Sequence, residues 1–456
     1  MARPIAEDAE VAEARRGKEE KLESPVGGAP GLWVRSGPTL SPTIQRDLLI
    51  IIRGCCTSLF AGTPSEPGST DGAPGAGAFR DPSGVAVSAL AGGNLFGVDT
   101  GNDTIRTLAA DGTAGTWAGL PPAPGAADGQ GGAAGLRHPQ GAAMDSSGNL
   151  YLADTGNHTI RSITPGGLVS TLAGQLGQVG YQDGPAGSAR FSSPAGVAVA
   201  GGAGGVTVYV ADTGNQVIRV IQGGQVTTLA GTAGTAGARD SSGAGARDAT
   251  FNHPSGLALD GQGNLLVADR DNDTLRRIAL ADGTVTTLAG TPATAGSVDG
   301  PGGSGGGALF NAPAGVAVSL DGRIVYVADT GNHTLRVLQG GQVTTLAGTP
   351  GQPGSVDGTG PTQLNGPVAI ALDRVGNLFV ANAGSSTVCL VSPAPAGAVT
   401  TIIGSATQSG NAWPAQGQPA PISSSISEPG GLAVDLVTGN IFITIDDAVV
   451  LADFQS

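Results

Sequence analysis

From about residue 57 onward, short apolar runs alternate with clusters of small and polar residues. In one stretch the runs are GAAM (141–144), NLYLAD (149–154), TIRSI (159–163) and LVSTLAG (168–174). Each is four to seven residues long, bounded by Gly, Asn, Asp or Pro, and too short for an ordinary helix. They predict β-strands, most of them buried on both faces. Between them, Asp145-Ser-Ser-Gly148 and Asp260-Gly-Gln-Gly263 combine Asx side chains with glycines that tolerate positive φ, the chemistry of tight hairpins.

The set of four runs repeats. An apolar-x-x-Pro-x-Gly pattern opens each unit at Phe79/Pro82/Gly84, Leu136/Pro139/Gly141, Phe191/Pro194/Gly196, Phe251/Pro254/Gly256 and Phe310/Pro313/Gly315. It returns at Leu364/Pro367, with Ala369 in place of Gly, and at Ile426/Pro429/Gly431, which makes seven units. Four short antiparallel strands repeated seven times predict an all-β fold, a β-propeller of four-stranded blades. After Pro429 the sequence supplies three runs, at 431–435, 440–445 and 448–454. The missing fourth lies at the other end, where Thr57-Ser-Leu-Phe-Ala-Gly62 matches Val343-Thr-Thr-Leu-Ala-Gly348. The N-terminal strand is therefore expected to complete the C-terminal blade and cover its edge.

The segments GNLYLADTGNHTIRSI (148–163), VYVADTGNQVIRVI (208–221) and VYVADTGNHTLRVL (325–338) closely resemble the NHL repeat. The resemblance covers about 57–454 and implies a propeller that serves as a recognition platform. Many members of that family have six blades, so the resemblance leaves six open beside the seven counted. Units six and seven are the degenerate ones.

Composition narrows the partners. Residues 1–24 hold 12 of the 58 charges, which predicts a solvated tail over 1–47 ahead of a propeller domain over 48–456. Net charge is −14, which argues against a nucleic-acid backbone or an anionic membrane as partner. The longest apolar run, Leu48–Ile52, is five residues, far short of the roughly 20 that cross a bilayer. No secretory signal is visible, so a soluble, intracellular protein is expected. Cys55, Cys56 and Cys389 form no disulfide framework or zinc motif.

The repeated polar residues read first as structure. Asp-Thr-Gly-Asn, at 99–102, 154–157, 212–215 and 329–332 with Asp269-Arg-Asp-Asn272 as a variant, is expected to be an Asx turn between two strands. An Arg follows each Asp by seven positions: Asp99/Arg106, Asp154/Arg161, Asp212/Arg219, Asp269/Arg276 and Asp329/Arg336. Units six and seven have Asn382/Cys389 and Ile445/Ala452, losing both members together. Across a hairpin this spacing brings Arg diagonal to Asp, so the five are assigned as internal ion pairs. The sequons at Asn102, Asn157, Asn272 and Asn332 arise from the same turn. His138, His158, His253 and His333 fall at two repeat positions and form no metal triad.

Connections of roughly twenty residues join successive units, far beyond a median loop of about 4–6. They carry Asp71, Asp128, Asp183, Asp299 and Asp357, each followed by Gly, with Asp240 and Asp248 in the matching region. The last connection has Trp413 instead. All should emerge on one face. Two readings stand: turns that fold each loop back so that Phe79, Phe191, Phe251 and Phe310 plug the gaps between blades, or an acidic rim that takes a protein or peptide with a basic patch, Trp413 as anchor. The leading functional reading is a non-enzymatic binding scaffold. The alternative is a metal-dependent lyase or hydrolase, as in some related propellers, with its site at the central channel. The residues beside the innermost strand starts are Ser83, Gln140, Ala195, Ser255, Ala314, Val368 and Gly430, without carboxylate or His. Accordingly no catalytic residue, metal ligand or cofactor is assigned.

Overall fold

The computed structural model describes residues 56–62, 67–73, 76–87, 95–109, 111–121, 123–202, 205–241, 243, 247–404, 429–434, 441–445 and 448–453. The segment 1–47 and Trp413 lie outside them. The described strands belong to one unit spanning 53–456, and no described helix is long and apolar enough to cross a membrane.

Seven antiparallel sheets make seven blades. Blade 2 shows the pattern: Pro139–Met144 innermost, then Leu150–Asp154, Thr159–Ile163 and Leu168–Ala173. In three blades the incoming connection adds a fifth, two-residue strand against the outermost one (Gly129–Gln130, Gly184–Pro185 and Gly300–Pro301), an element the apolar pattern did not signal. Blade 7 is built from Leu432–Val434, Ile441–Ile445 and Ala448–Asp453, completed by Cys56–Gly62 from the other end of the chain. Leu59 pairs with Val450 there, and Ala448–Asp453 keeps no open edge on that side.

The core lies between blades. Phe79 packs among Leu95, Leu108 and Ala114 of blade 1 and Phe442 and Val449 of blade 7. Phe191 fills the seam between blades 2 and 3, Phe251 that between 3 and 4, and Phe310 that between 4 and 5. Leu136 and Leu364 take the same place in the remaining described connections. All six are fully buried, and truncating such a plug to Ala costs on the order of 3–5 kcal/mol for Phe. The inner circle is tight because the repeat supplies Gly there. A methyl group at Gly141 would run into the Ala195 carbonyl, and one at Gly196 into that of Ser255. Blade 6 carries Ala369 at this position.

Candidate functional site: the face of the long connections

The hairpin turn inside each blade and the connection between blades emerge at the same end of the strands. In blade 2 the register pairs Asp154 with Thr159 and Leu152 with Arg161, so Arg161 is diagonal to Asp154. Its Nη1 donates to Asp154 Oδ2 at 2.8 Å, and both side chains are buried. The same contact measures 3.1 Å for Arg106–Asp99, 3.0 Å for Arg219–Asp212, 2.9 Å for Arg276–Asp269 and 3.0 Å for Arg336–Asp329.

Each Arg holds a second carboxylate. Nη2 of Arg161 donates to Asp128 Oδ1 at 2.8 Å, and Arg106, Arg219, Arg276 and Arg336 reach Asp71, Asp183, Asp240 and Asp299 in the same way. Backbone carbonyls of the connection, Ala127 and Gly135 for Arg161, take the other Nη hydrogens. The Nε–H of all five arginines has no acceptor. Four of the five guanidiniums instead lie over the plug ring of their seam, Arg106 over Phe79 at 4.7 Å and Arg336 over Phe310 at 5.3 Å at the extremes.

The rim aspartates also finish the outermost strand. Thr171 Oγ1 donates to Asp128 at 2.7 Å. Thr228 and Thr345 give both their N–H and hydroxyl to Asp183 and Asp299. Asp357 has no Arg opposite it, yet it keeps this second role: Thr401 donates its N–H at 2.8 Å and its hydroxyl at 2.7 Å. The rim carboxylates thus reach solvent (Asp128 is 49% exposed as a side chain), and wherever an Arg is present they share it with the inner Asp, so each set keeps one negative charge. Asp71, Asp128, Asp183 and Asp299 lie against the outermost strands as countercharges, and Asp357 as a strand cap. The sequence signal for the match was there: an Asp in the connection before every blade that carries the Arg.

The inner carboxyls are saturated with donors. Asp99 Oδ1 takes the Arg80 N–H at 2.8 Å, while Oδ2 takes Asn102 Nδ2 at 2.8 Å besides Arg106. Burial outweighs these contacts and pushes Asp99, Asp212, Asp269 and Asp329 up to about 6, so they are ionised at neutral pH. Asn of the turn also ties the connection down, as in Asn157 Nδ2 to Gly125 O at 2.6 Å. The sequons are thus interior contacts: Asn102, Asn157, Asn272 and Asn332 are all buried. In blade 6, Asn382 donates to Cys389 Sγ at 3.3 Å, a neutral pair where the ions are lost.

The turn Thr bridges blades. Thr155 Oγ1 donates to Pro194 O at 2.7 Å, and Thr100, Thr213 and Thr330 reach Pro139, Pro254 and Pro367 likewise. The next residue but two adopts the left-handed conformation, φ 58° at His158 and 60° at His333. Through Nδ1 these histidines accept the N–H of Ser193 and of Gly366, each at 3.0 Å. Asp103, Gln216 and Asp273 do the same for His138, His253 and Ala312. His253 also faces Asp271 at 2.7 Å.

At the inner circle, Ser83, Thr100, Gln140, Ala195, Ser255 and Val368 line a cavity of about 440 Å³. The Ser83 and Thr100 hydroxyls lie 2.6 Å apart, while the buried Ser255 hydroxyl has no hydrogen-bond partner among the described residues. Among the described residues no group of three His, Cys, Asp or Glu is placed to hold a metal ion.

These features define a seven-bladed β-propeller whose blades are stapled by repeated polar turns. The profile described as the Teneurin NHL domain matches residues 114–339. The chain is 33% identical over 272 residues to Protein SUPPRESSOR OF QUENCHING 1, chloroplastic, of Arabidopsis thaliana, covering 56% of this chain and 25% of that one. It is 26% identical over 344 residues to NHL repeat-containing protein 2 of Bos taurus, covering 66% and 44%. The chain thus spans less than half the length of these relatives. Among solved structures, a streptogramin B lyase superposes with a TM-score of 0.54 at 12% identity, covering 88% of this chain and 97% of that one. A virginiamycin B lyase from Staphylococcus aureus gives 0.52 at 14%, covering 82% and 95%. At these identities the likeness is one of fold. The chain is similar to NHL-repeat β-propellers, a fold suited to a binding or scaffold role.

Proposed function

We propose that the chain is a non-enzymatic scaffold that takes a protein or peptide on the face of its long connections. One observation carries this reading. Of the exposed large apolar side chains among the described residues, Leu120, Leu176, Val179, Tyr181, Val298 and Val356 lie in those connections, whereas Leu168 begins an outermost strand and Leu320 and Val375 lie on the opposite turns. Apolar side chains held out on hydrogen-bonded loops favour a recognition surface. Because the rim carboxylates are engaged by Arg and Thr donors within the chain, apolar contact is the expected main source of affinity, and a basic patch on the partner is not required. The Ser, Gln, Ala and Val side chains at the channel mouth lack the carboxylate or imidazole that general acid–base or metal chemistry needs, which favours binding over catalysis. The test is capture by the full chain, with the bound protein identified and its affinity measured. Combined replacement of Leu120, Val298 and Val356 by Ser should weaken that complex strongly, and replacement of Leu320 and Val375 by Ser should not. The reverse result overturns the reading.

A further inference from the structure

One sector of the connection face differs from the rest. Between blades 2 and 3, Leu176, Val179 and Tyr181 expose 39%, 58% and 43% of their surface within six positions. Among the described residues no other connection presents three such side chains. The backbone beneath them is fixed: Gly177 N–H reaches Asn157 O at 3.0 Å, and Gly180 N–H reaches Phe191 O at 3.0 Å. Tyr181 is fixed as well. Its hydroxyl lies 2.7 Å from Thr228 Oγ1, and its ring covers the Arg219 guanidinium at 5.0 Å. A pinned aromatic loses little conformational freedom when a partner binds, which is why such residues anchor interfaces.

Two arginines flank the patch. The stem of Arg190 runs beside Gly180, close enough that a methyl there would sit 3.2 Å from its Cδ. Its Nε–H is spent on Gln175 Oε1 at 3.0 Å, which orients the guanidinium. Arg247 arrives from the next connection, 65% exposed, 3.7 Å from Asp183. Asp183 already takes Arg219 at 2.6 Å, and Arg219 is shared with Asp212, so Arg247 brings that set to neutrality and Arg190 is left as the sector's unbalanced cation. An apolar patch with one unbalanced cation at its edge is complementary to the opposite of a basic partner.

We propose that this sector docks a segment of a partner protein in which an apolar side chain neighbours an acidic one. The apolar group sits on Val179 and Tyr181, and the carboxylate meets the flanking arginines. The proposal rests on the scaffold reading and narrows it to one sector and one partner chemistry.

The experiment is selection of random dodecapeptides displayed on phage against the immobilised full chain, followed by polarisation titrations of the enriched peptides. Peptides that join Glu or Asp to Leu, Phe or Trp are expected, with binding that weakens as salt rises. Val179→Ser and Arg247→Glu, both at exposed positions that carry no core contact, should each weaken them by about tenfold. Tyr181→Ala should do so more strongly, with its melting profile checked because the ring also packs on Arg219. Basic or uncharged peptides, no enrichment at all, or binding indifferent to Val179→Ser and Arg247→Glu overturns the proposal. If such indifferent peptides respond to Leu120→Ser or Val356→Ser, the scaffold reading survives and only the sector is wrong. If they respond only to Leu320→Ser and Val375→Ser, both fall.

Discussion

The imidazole of His158, at the turn of blade 2, accepts the backbone N–H of Ser193, at the entry to blade 3, through Nδ1 at 3.0 Å. That contact requires a neutral ring with its proton on Nε2, because a protonated Nδ1 would set one donor against another. Burial, assisted by nearby Arg137, holds the His158 pKa below its usual 6.5. Above pH 6.5 folded and unfolded chains both carry neutral imidazole, and the stabilisation is complete. As pH falls below that value the unfolded chain binds the proton first, and stability is lost toward the depressed folded pKa. The four inner Asp carboxyls raised to about 6 act in the opposite sense, since there the folded state binds protons first and their contribution is lost as pH rises through about 6. His158→Gln separates the two, because Gln216 makes the same bond in blade 3 without titrating. Urea melts at pH 7.5 and 5 should show the wild type losing more stability than His158→Gln. Equal losses would mean that the His158 contact contributes nothing.

Asp154 and Arg161 should be strongly coupled. Arg161→Ala strands the buried Asp154 carboxylate, Asp154→Ala leaves Arg161 only the half-exposed Asp128, and each is expected to cost about 3–5 kcal/mol. The double variant should cost clearly less than the sum. Asp128→Asn removes only the half-exposed partner of the same arginine, and should cost under about 1 kcal/mol. A fully additive cycle, or an Asp128→Asn penalty as large as that of Asp154→Ala, contradicts this ranking.

The first of these relationships was legible in the sequence because strand register is local. Seven positions across a short turn place Arg161 diagonal to Asp154 whatever the rest of the chain does. Asp128 was visible as a repeated Asp-Gly, but its target was not. It lies 33 residues before Arg161, on a connection whose path follows no apolar periodicity, and so its carboxylate read as free surface charge. The turn acceptors were harder still. Asp103, His158, Gln216, Asp273 and His333 share a backbone conformation and one hydrogen bond but no residue type, so no identity pattern marks them.

Removing residues 1–62 deletes Cys56–Gly62, the fourth strand of blade 7, and exposes the edge of Ala448–Asp453. The truncated chain should melt well below the full chain and aggregate on heating. Removing only 1–47 leaves every described strand in place and should leave the melting temperature close to that of the full chain. Equal behaviour of the two truncations would disprove closure by that strand.

Blades 6 and 7 should open before blades 2 and 3. Ala383 stands where Thr155 bridges blades, Ala369 replaces the close-packing Gly, and Asn382/Cys389 and Ile445/Ala452 replace the ion pair. The seam keeps an apolar cluster of Phe379, Ile403, Ile441 and Ile443, which is less directional than the polar staples. Native-state hydrogen exchange should therefore show faster exchange in Ile441–Ile445 and Ala448–Asp453 than in Leu150–Asp154 and Val217–Gln222. Uniform protection around the ring contradicts this.

The path of the Arg161 network also bears on how such a chain can change its length. Asp128, Leu136, Asp154, Asn157, Arg161 and Thr171 all fall within one stretch from a connection through the blade it leads into. The contacts between blades, such as Thr155 to Pro194, run from any unit to whichever unit follows. A gene duplication or deletion that cuts between an outermost strand and the next connection therefore moves a complete ion network and strands no ion, whereas a cut inside a blade leaves buried charges without partners on both sides. Polar chemistry of this kind makes the whole repeat the unit of inheritance, and leaves the number of repeats to be settled by the geometry of the inner circle and the closing strand.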